Sequence, residues 1–303
     1  MDRREFIKML LAGAAGLSAL NVAGKFKTGL DALADFAPDL VVAKGSRAES
    51  VVEEAVNAFG GMKRFIARGD RVLIKPNIAW DRAPQFAATT NPALVGMLVR
   101  LCLEAGAKEV FVFDRTCNDP RRCYVTTEIG KASQDAGARL VYIDESKVKE
   151  CPINGNVLKN WPVLTDVLET DKIINVPIAK VHGLSKLTLG MKNWFGAIGG
   201  NRSRLHQRTE YTIPEIASLF KPTLVVLDAI RILTQNGPLG GDESYVERRN
   251  TVVVGQDQVA VDAYGTTLFG LKPQDMGFIV NANKMGLGEM DLSKLTIKTL
   301  EVA

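Results

Sequence analysis

Residues 71–114 read RVLIKPNIAWDRAPQFAATTNPALVGMLVRLCLEAGAKEVFVFD, and this stretch decides the fold. It opens and closes on short apolar runs, Arg71–Lys75 and Glu109–Asp114, that lack the polar alternation of a half-solvated sheet. Such runs predict strands buried on both faces. Between them Leu94, Val95, Leu98, Leu101 and Cys102 recur at helical spacing. Asn91 stands as a cap, Pro92 in the first turn and Gly106 past the end, so a helix is predicted over Asn91–Ala105. Strand, helix, strand is the unit of a parallel sheet, because the chain must cross over before it can run in the same direction again.

The same alternation extends in both directions. Asp39–Ala43, Arg139–Ile143, Lys172–Val176, Thr223–Asp228 and Thr251–Gly255 read as further strands. Ser50–Ala67, Glu128–Ala136, Ile213–Phe220 and Gln258–Phe269 read as helices, with Pro214 early in its helix and Gly270 closing the last. The predicted class is α/β: a largely parallel, twisted sheet with helices on both faces. Lys149–Asn160 and Gln235–Glu247 interrupt the pattern as long loops or small excursions, and no linker divides residues 35–303, which read as one domain.

Residues 1–34 read differently. DRREFIK at 2–8 is followed by the weakly apolar MLLAGAAGLSALNVAG, then Lys25, Lys27 and the small-x-small Ala32-Leu33-Ala34. This is the pattern of a twin-arginine export signal with a cleavage site, the mature chain starting near Asp35. The run falls short of the roughly 20 residues that span a bilayer, so no stable membrane anchor is expected. A periplasmic or otherwise extracytoplasmic location follows, with the twin-arginine translocase as a partner. That route carries folded proteins, which raises the prospect of a cofactor inserted before export. Outside the leader 33 basic residues face 31 acidic ones. A body so nearly neutral argues against nucleic-acid binding, which needs a broad cationic surface.

Local charge is more telling. No acid occurs between Asp171 and Glu210, where about four would match the chain average of 34 in 303. The same 38 residues hold Lys180, Lys192 and Arg202, both histidines of the protein (His182 and His206), and five glycines. Glycine lets backbone N–H groups approach a ligand. A positive, acid-free, glycine-rich segment suits a small anionic ligand of the phosphate or carboxylate type. Ligands of open parallel sheets bind at the carboxyl ends of strands. There lie Lys75 and Asn77, Asp114, Lys180 with His182, and Asp228. His182 is the expected proton exchanger near neutral pH, with Asp114 and Asp228 as acid/base groups or metal ligands.

The cysteines leave several readings open. Cys102 sits on an apolar helix face and belongs to the core. Cys117, Cys123 and Cys151 lie in polar stretches whose spacing matches neither a ferredoxin ladder nor a zinc knuckle. Cys117 and Cys123 could pair in an oxidising compartment, or stand as thiolates beside Arg115, Arg121 and Arg122. With a histidine they could bind a metal or an iron–sulfur cluster. No P-loop, Gly-x-Gly-x-x-Gly or Gly-x-Ser-x-Gly motif occurs, which removes NTPase, classical dinucleotide dehydrogenase and α/β-hydrolase readings.

Lys75-Pro76-Asn77, DRTCNDPRRCY at 114–124, NVPIAKVHGLSKLTLGMKNWFGAIGG at 175–200, LDAIRILTQNGPLGG at 227–241 and VGQDQVAVDA at 254–263 follow one another in this order. In this the chain resembles the domain of unknown function 362 family over roughly residues 40–290. The resemblance implies no established reaction. Some members carry ferredoxin-like cysteine motifs and are described as iron–sulfur proteins, but no such appendage occurs in these 303 residues. It implies a shared site at Lys75, Asn77, Lys180, His182, Lys192, Asn193 and Asp228. Two expectations result. One is an exported, redox-linked protein or enzyme that binds an anion, with a metal or cluster as cofactor. The other is a non-catalytic anion-binding or accessory protein of an exported redox complex.

Overall fold

The computed structural model describes residues 37–303. The twin-arginine leader, the cleavage site and the mature start near Asp35 lie outside the described residues.

Among the described residues twelve strands form in chain order: β1 (Leu40–Lys44), β2 (Arg71–Pro76), β3 (Glu109–Val112), β4 (Arg139–Leu140), β5 (Val148–Pro152), β6 (Asn160–Leu164), β7 (Lys172–Val176), β8 (Ile178–His182), β9 (Lys186–Thr188), β10 (Leu224–Leu233), β11 (Val246–Gly255) and β12 (Ile297–Glu301). The main sheet runs β12-β1-β11-β10-β7-β2-β3-β4. Past Pro177, β8 pairs with β10 and turns back as a hairpin with β9, while β5 and β6 form a separate two-stranded sheet. Within the main sheet only β11 and β9 oppose their neighbours; β1, β2, β3, β4, β7, β8, β10 and β12 run one way. The fold is therefore α/β, with a mostly parallel sheet.

Among the described residues nine helices accompany it: α1 (Ala48–Ala58), α2 (Pro92–Glu104), α3 (Pro120–Thr126), α4 (Ile129–Asp135), α5 (Thr165–Leu168), α6 (Gly190–Asn193), α7 (Thr209–Ala217), α8 (Gln258–Thr267) and α9 (Gly277–Lys284). Side chains alternate across each strand, so one strand feeds two cores. Val72 and Ile74 of β2 pack in a layer with Val51 and Val56 of α1 and Leu94 and Leu98 of α2. Leu73 points the other way, into a layer with Ile213 of α7, Val261 of α8 and Ile279 of α9. Burial on both faces explains why these strands read as unbroken apolar runs. No described helix is long and apolar enough to cross a membrane.

Several elements depart from expectation for local reasons. The helix predicted to reach Ala67 ends at Ala58, because Gly60 and Gly61 take φ of 115° and 79°, outside the helical region. The strand predicted over Arg139–Ile143 pairs only through Arg139 and Leu140. The strand predicted to stop at Asp228 continues past a bulge to Leu233. Helix α7 starts at Thr209, with Pro214 in its interior; Pro214 lacks an N–H for the Glu210 carbonyl, which accepts from Asn281 Nδ2 of α9 at 2.9 Å instead. Of the two interruptions, Lys149–Asn160 holds most of the β5–β6 hairpin, and Gln235–Glu247 is mainly the loop joining β10 to β11.

Candidate functional site

The carboxyl ends of β2 and β3 and the β8–β9 hairpin meet the loop after α6 around a cleft of about 180 Å³. Beneath it lies a buried polar chain. Lys75 Nζ, at the end of β2, donates to Asp114 Oδ1 at 2.6 Å, to the Pro76 carbonyl at 2.8 Å and to Asn193 Oδ1 at 3.2 Å. The second Asp114 oxygen accepts from the Ile78 N–H at 2.6 Å. Burial pushes the Lys75 pKa down and the Asp114 carboxylate opposes that shift. A buried, paired and hydrogen-bonded charge of this kind is costly to break from either side. Asn193 passes the network on: its Oδ1 also accepts from Asn77 Nδ2 at 3.1 Å, and Asn77 Oδ1 accepts from Lys180 at 3.4 Å.

Three further cations line the cleft, and none has a carboxylate partner among the described residues. Lys180 Nζ donates to the Ala88 carbonyl, to the Pro238 carbonyl at 3.2 Å and to Asn77. Burial, reinforced by the Lys192 charge, brings its pKa down to about 7. Lys192 Nζ lies 5.0 Å from the centroid of the Phe195 ring and 3.3 Å from His206 Nε2; burial lowers its pKa to about 8. Arg202 donates to the carbonyls of Arg115 (2.8 Å), Phe195 (3.2 Å) and Thr116 (3.0 Å), and lies 4.0 Å from Cys117 Sγ. Arg115 is neutralised, since it grips Glu145 with two nitrogens at 2.9 and 2.7 Å.

Both imidazoles are locked as neutral tautomers. His206 Nδ1 lies 3.1 Å from the Arg202 carbonyl, so it carries the proton and leaves Nε2 to accept from Lys192. His182 Nδ1 accepts from the N–H groups of Leu184 at 3.1 Å and Ser185 at 3.4 Å, so its proton is on Nε2. The rings stack at 5.7 Å. Burial first, and then Lys192 and His206, drive the His182 pKa to about 3. Burial and Lys192 lower that of His206 as well.

The profile of the domain of unknown function 362 family (DUF362) matches residues 72–267, which hold every element of this cleft. The chain belongs to the DUF362 family. A thylakoid-associated protein of Synechocystis sp. is 27% identical over 241 residues, 75% of this chain and 72% of its own length. Among solved structures, the lactate racemase apoprotein of Thermoanaerobacterium thermosaccharolyticum aligns with a TM-score of 0.43 at 11% identity. That alignment covers 74% of this chain and only 55% of the racemase.

In this DUF362 chain the predicted site residues fall into two groups. Asn77, Asp114, Cys117, Lys180, His182, Lys192, Asn193, Arg202 and His206 border the cleft, and Lys75 lies directly beneath it. Asp228 does not join them. It sits mid-strand on β10, where its carboxylate accepts from the N–H of Asn91 at 2.7 Å and of Ile230 at 3.0 Å. Burial raises its pKa to about 6, and its role here is to fix the start of α2. The expectation that His182 exchanges protons near neutrality is also corrected, because its basic nitrogen faces two backbone donors and its pKa is far below 7.

The cysteines do not converge. Cys117 is exposed, Cys123 is buried in α3 with burial raising its pKa to about 11, Cys151 lies on β5, and all are free thiols. Among the described residues no three His, Cys, Asp or Glu side chains gather as metal ligands. The donors present therefore do not fit the metal or cluster expected at Cys117, Cys123 and Cys151.

Sequence reasoning missed Asp262. This buried carboxylate on α8 accepts from the N–H groups of Gly190 (2.6 Å) and Met191 (2.9 Å), orienting the turn that carries Lys192 and Asn193. Burial raises its pKa to about 7. It also missed Thr188, which borders the cleft, and Gly196, against which Asp114 and Lys75 pack. VGQDQVAVDA held the signal for Asp262, an acid directly flanked by the apolar Val261 and Ala263.

Proposed function

We propose that this DUF362 protein, exported by its twin-arginine leader, captures a small anion in the cleft above Lys75 and Asp114. One observation carries the reading: Lys180, Lys192 and Arg202 face one cleft without a carboxylate to neutralise them. Asp114, the acid nearest them, is engaged by Lys75 and the Ile78 amide. Burial first, and repulsion between like charges in the cleft second, make the lysines hold their protons weakly. An anion would relieve that repulsion and raise both lysine pKa values. No step is routed through a metal or cluster, because the cysteine donors are dispersed. The neutral imidazoles and the carbonyl-bound Lys180 favour capture over proton transfer as the first role of the site.

The sign of the pH dependence follows. At pH 7 to 8 the free protein has Lys180 and Lys192 only partly protonated, and when an anion binds the two amines take up protons from the buffer. Binding of phosphate or benzoate should therefore release or absorb a heat that scales with the ionisation enthalpy of the buffer. Affinity should fall as pH rises from 7 through 8. Lys180→Met should abolish most of the proton uptake near pH 7. Titration calorimetry in two buffers reads all three quantities, and anion binding with no dependence on buffer or pH would refute the reading.

A further inference from the structure

The cations that line the cleft are not equally able to touch a ligand. The three protons of Lys180 face Ala88 O, Pro238 O and Asn77 Oδ1. The guanidinium of Arg202 is directed at three carbonyls and the Cys117 sulfur. Both lend charge, with the Lys180 ammonium and the two Arg202 Nη groups occupied. Four backbone donors are occupied too: Gly190 and Met191 serve Asp262, Arg115 serves the Gly196 carbonyl, and Cys117 serves Ala79.

What is left is small and specific. Lys192 has one partner, His206, so two of its N–H groups have none among the described residues. His182 keeps an Nε2–H on the side of the ring opposite its occupied Nδ1. Thr188 has a buried hydroxyl with no hydrogen-bond partner among the described residues, an uncommon condition that calls for an explanation. The hairpin brings two of these together. Lys180 and His182 are two apart on β8, hence on one face, and Thr188 of β9 is the cross-strand partner of Lys180. His182 then stacks on His206, the partner of Lys192.

We propose that Lys192 Nζ, His182 Nε2 and Thr188 Oγ1 form a carboxylate-binding subsite, and that the ligand is a small carboxylate with an apolar body lying toward Phe195 and Trp80. This rests on the anion-binding reading above and names its ligand class. A carboxylate offers two oxygens with about four acceptor sites, matched to a few side-chain donors and one directly presented charge. A phosphate asks for more donors and more charge than these residues have unoccupied. Size agrees: a cavity of about 150 Å³ holds a benzene ring, so a cleft of about 180 Å³ takes a ligand on the order of ten non-hydrogen atoms.

The test is calorimetry of the full protein with benzoate, hexanoate, phenyl phosphate and benzamide. Benzoate or hexanoate should bind and benzamide should not. Thr188→Val should weaken the carboxylate about tenfold, the usual loss for a hydrogen bond to a charged group, while raising the thermal midpoint of the free protein, because an orphaned hydroxyl is removed. Thr188→Ser should restore affinity, and His182→Phe should weaken it to a similar extent. Phenyl phosphate binding without either carboxylate would overturn the carboxylate assignment and leave the anion site standing. Carboxylate binding that ignores Thr188→Val and His182→Phe would overturn the subsite. Binding of none of the anions would remove both this assignment and the anion reading.

Discussion

Gly196 sets how closely the chain can pass the buried ion pair. A Cβ built there would overlap Asp114 Oδ1 and crowd Lys75 Nζ at 2.7 Å. Neither group can withdraw, since both are held by further hydrogen bonds. Gly196→Ala should therefore lower the urea-unfolding free energy by about 3 kcal/mol, in the range for disrupting a buried ion pair, and weaken anion binding with it. A variant with unchanged unfolding would show that the pair can shift at no cost. Residue identities in the cleft were legible because cations, imidazoles and amides cluster visibly in an acid-free segment. Their protonation was not. His182 stands in the right segment, yet its tautomer follows from where the Leu184 and Ser185 amides point, a matter of turn geometry that no residue count contains.

The tip of the β5–β6 hairpin is held by one side chain. Glu215 of α7 accepts from the N–H groups of Asn156 at 2.7 Å, Val157 at 3.0 Å and Leu158 at 2.8 Å, and so closes the tip of the hairpin onto the core. Glu215→Ala leaves those amides without an acceptor, at a cost of about 2 kcal/mol. The expected result is faster hydrogen exchange at residues 156–158 with little change on β2 or β7; uniform protection across both regions would reject the clamp. Buried elements were readable because burial on both faces writes an uninterrupted apolar run, as in β2 and β7. The hairpin was not, because VKECP on β5 is largely exposed and has no apolar face to reveal. The reversed direction of β11 was equally invisible, since TVVVG looks the same whichever way the strand runs. Direction is set by the partner strands β1 and β10.

At the scale of the molecule, the sheet gathers side chains distant in sequence: Lys75 meets Asp114 and Asn193, and Lys180 meets Asn77. Such a site exists only in the completed fold, which agrees with the proposed use of an export route for folded proteins. Replacing Arg3 and Arg4 together by lysine should hold the full-length precursor in the cytoplasm, as cell fractionation with immunodetection will show. Equal export of the double variant would dismiss the leader. Overall composition said little about any of this, because a near-neutral body averages away one local concentration of charge.

Strand β1 carries one more consequence. It lies between β11 and β12, in register with Gly255 at one side and Ile297 at the other. The ribosome thus makes the flanks of this strand more than two hundred residues after the strand itself. Until they emerge, Leu40–Lys44 has no strand to pair with, and a nascent chain halted before residue 246 should remain open to proteases at its front end.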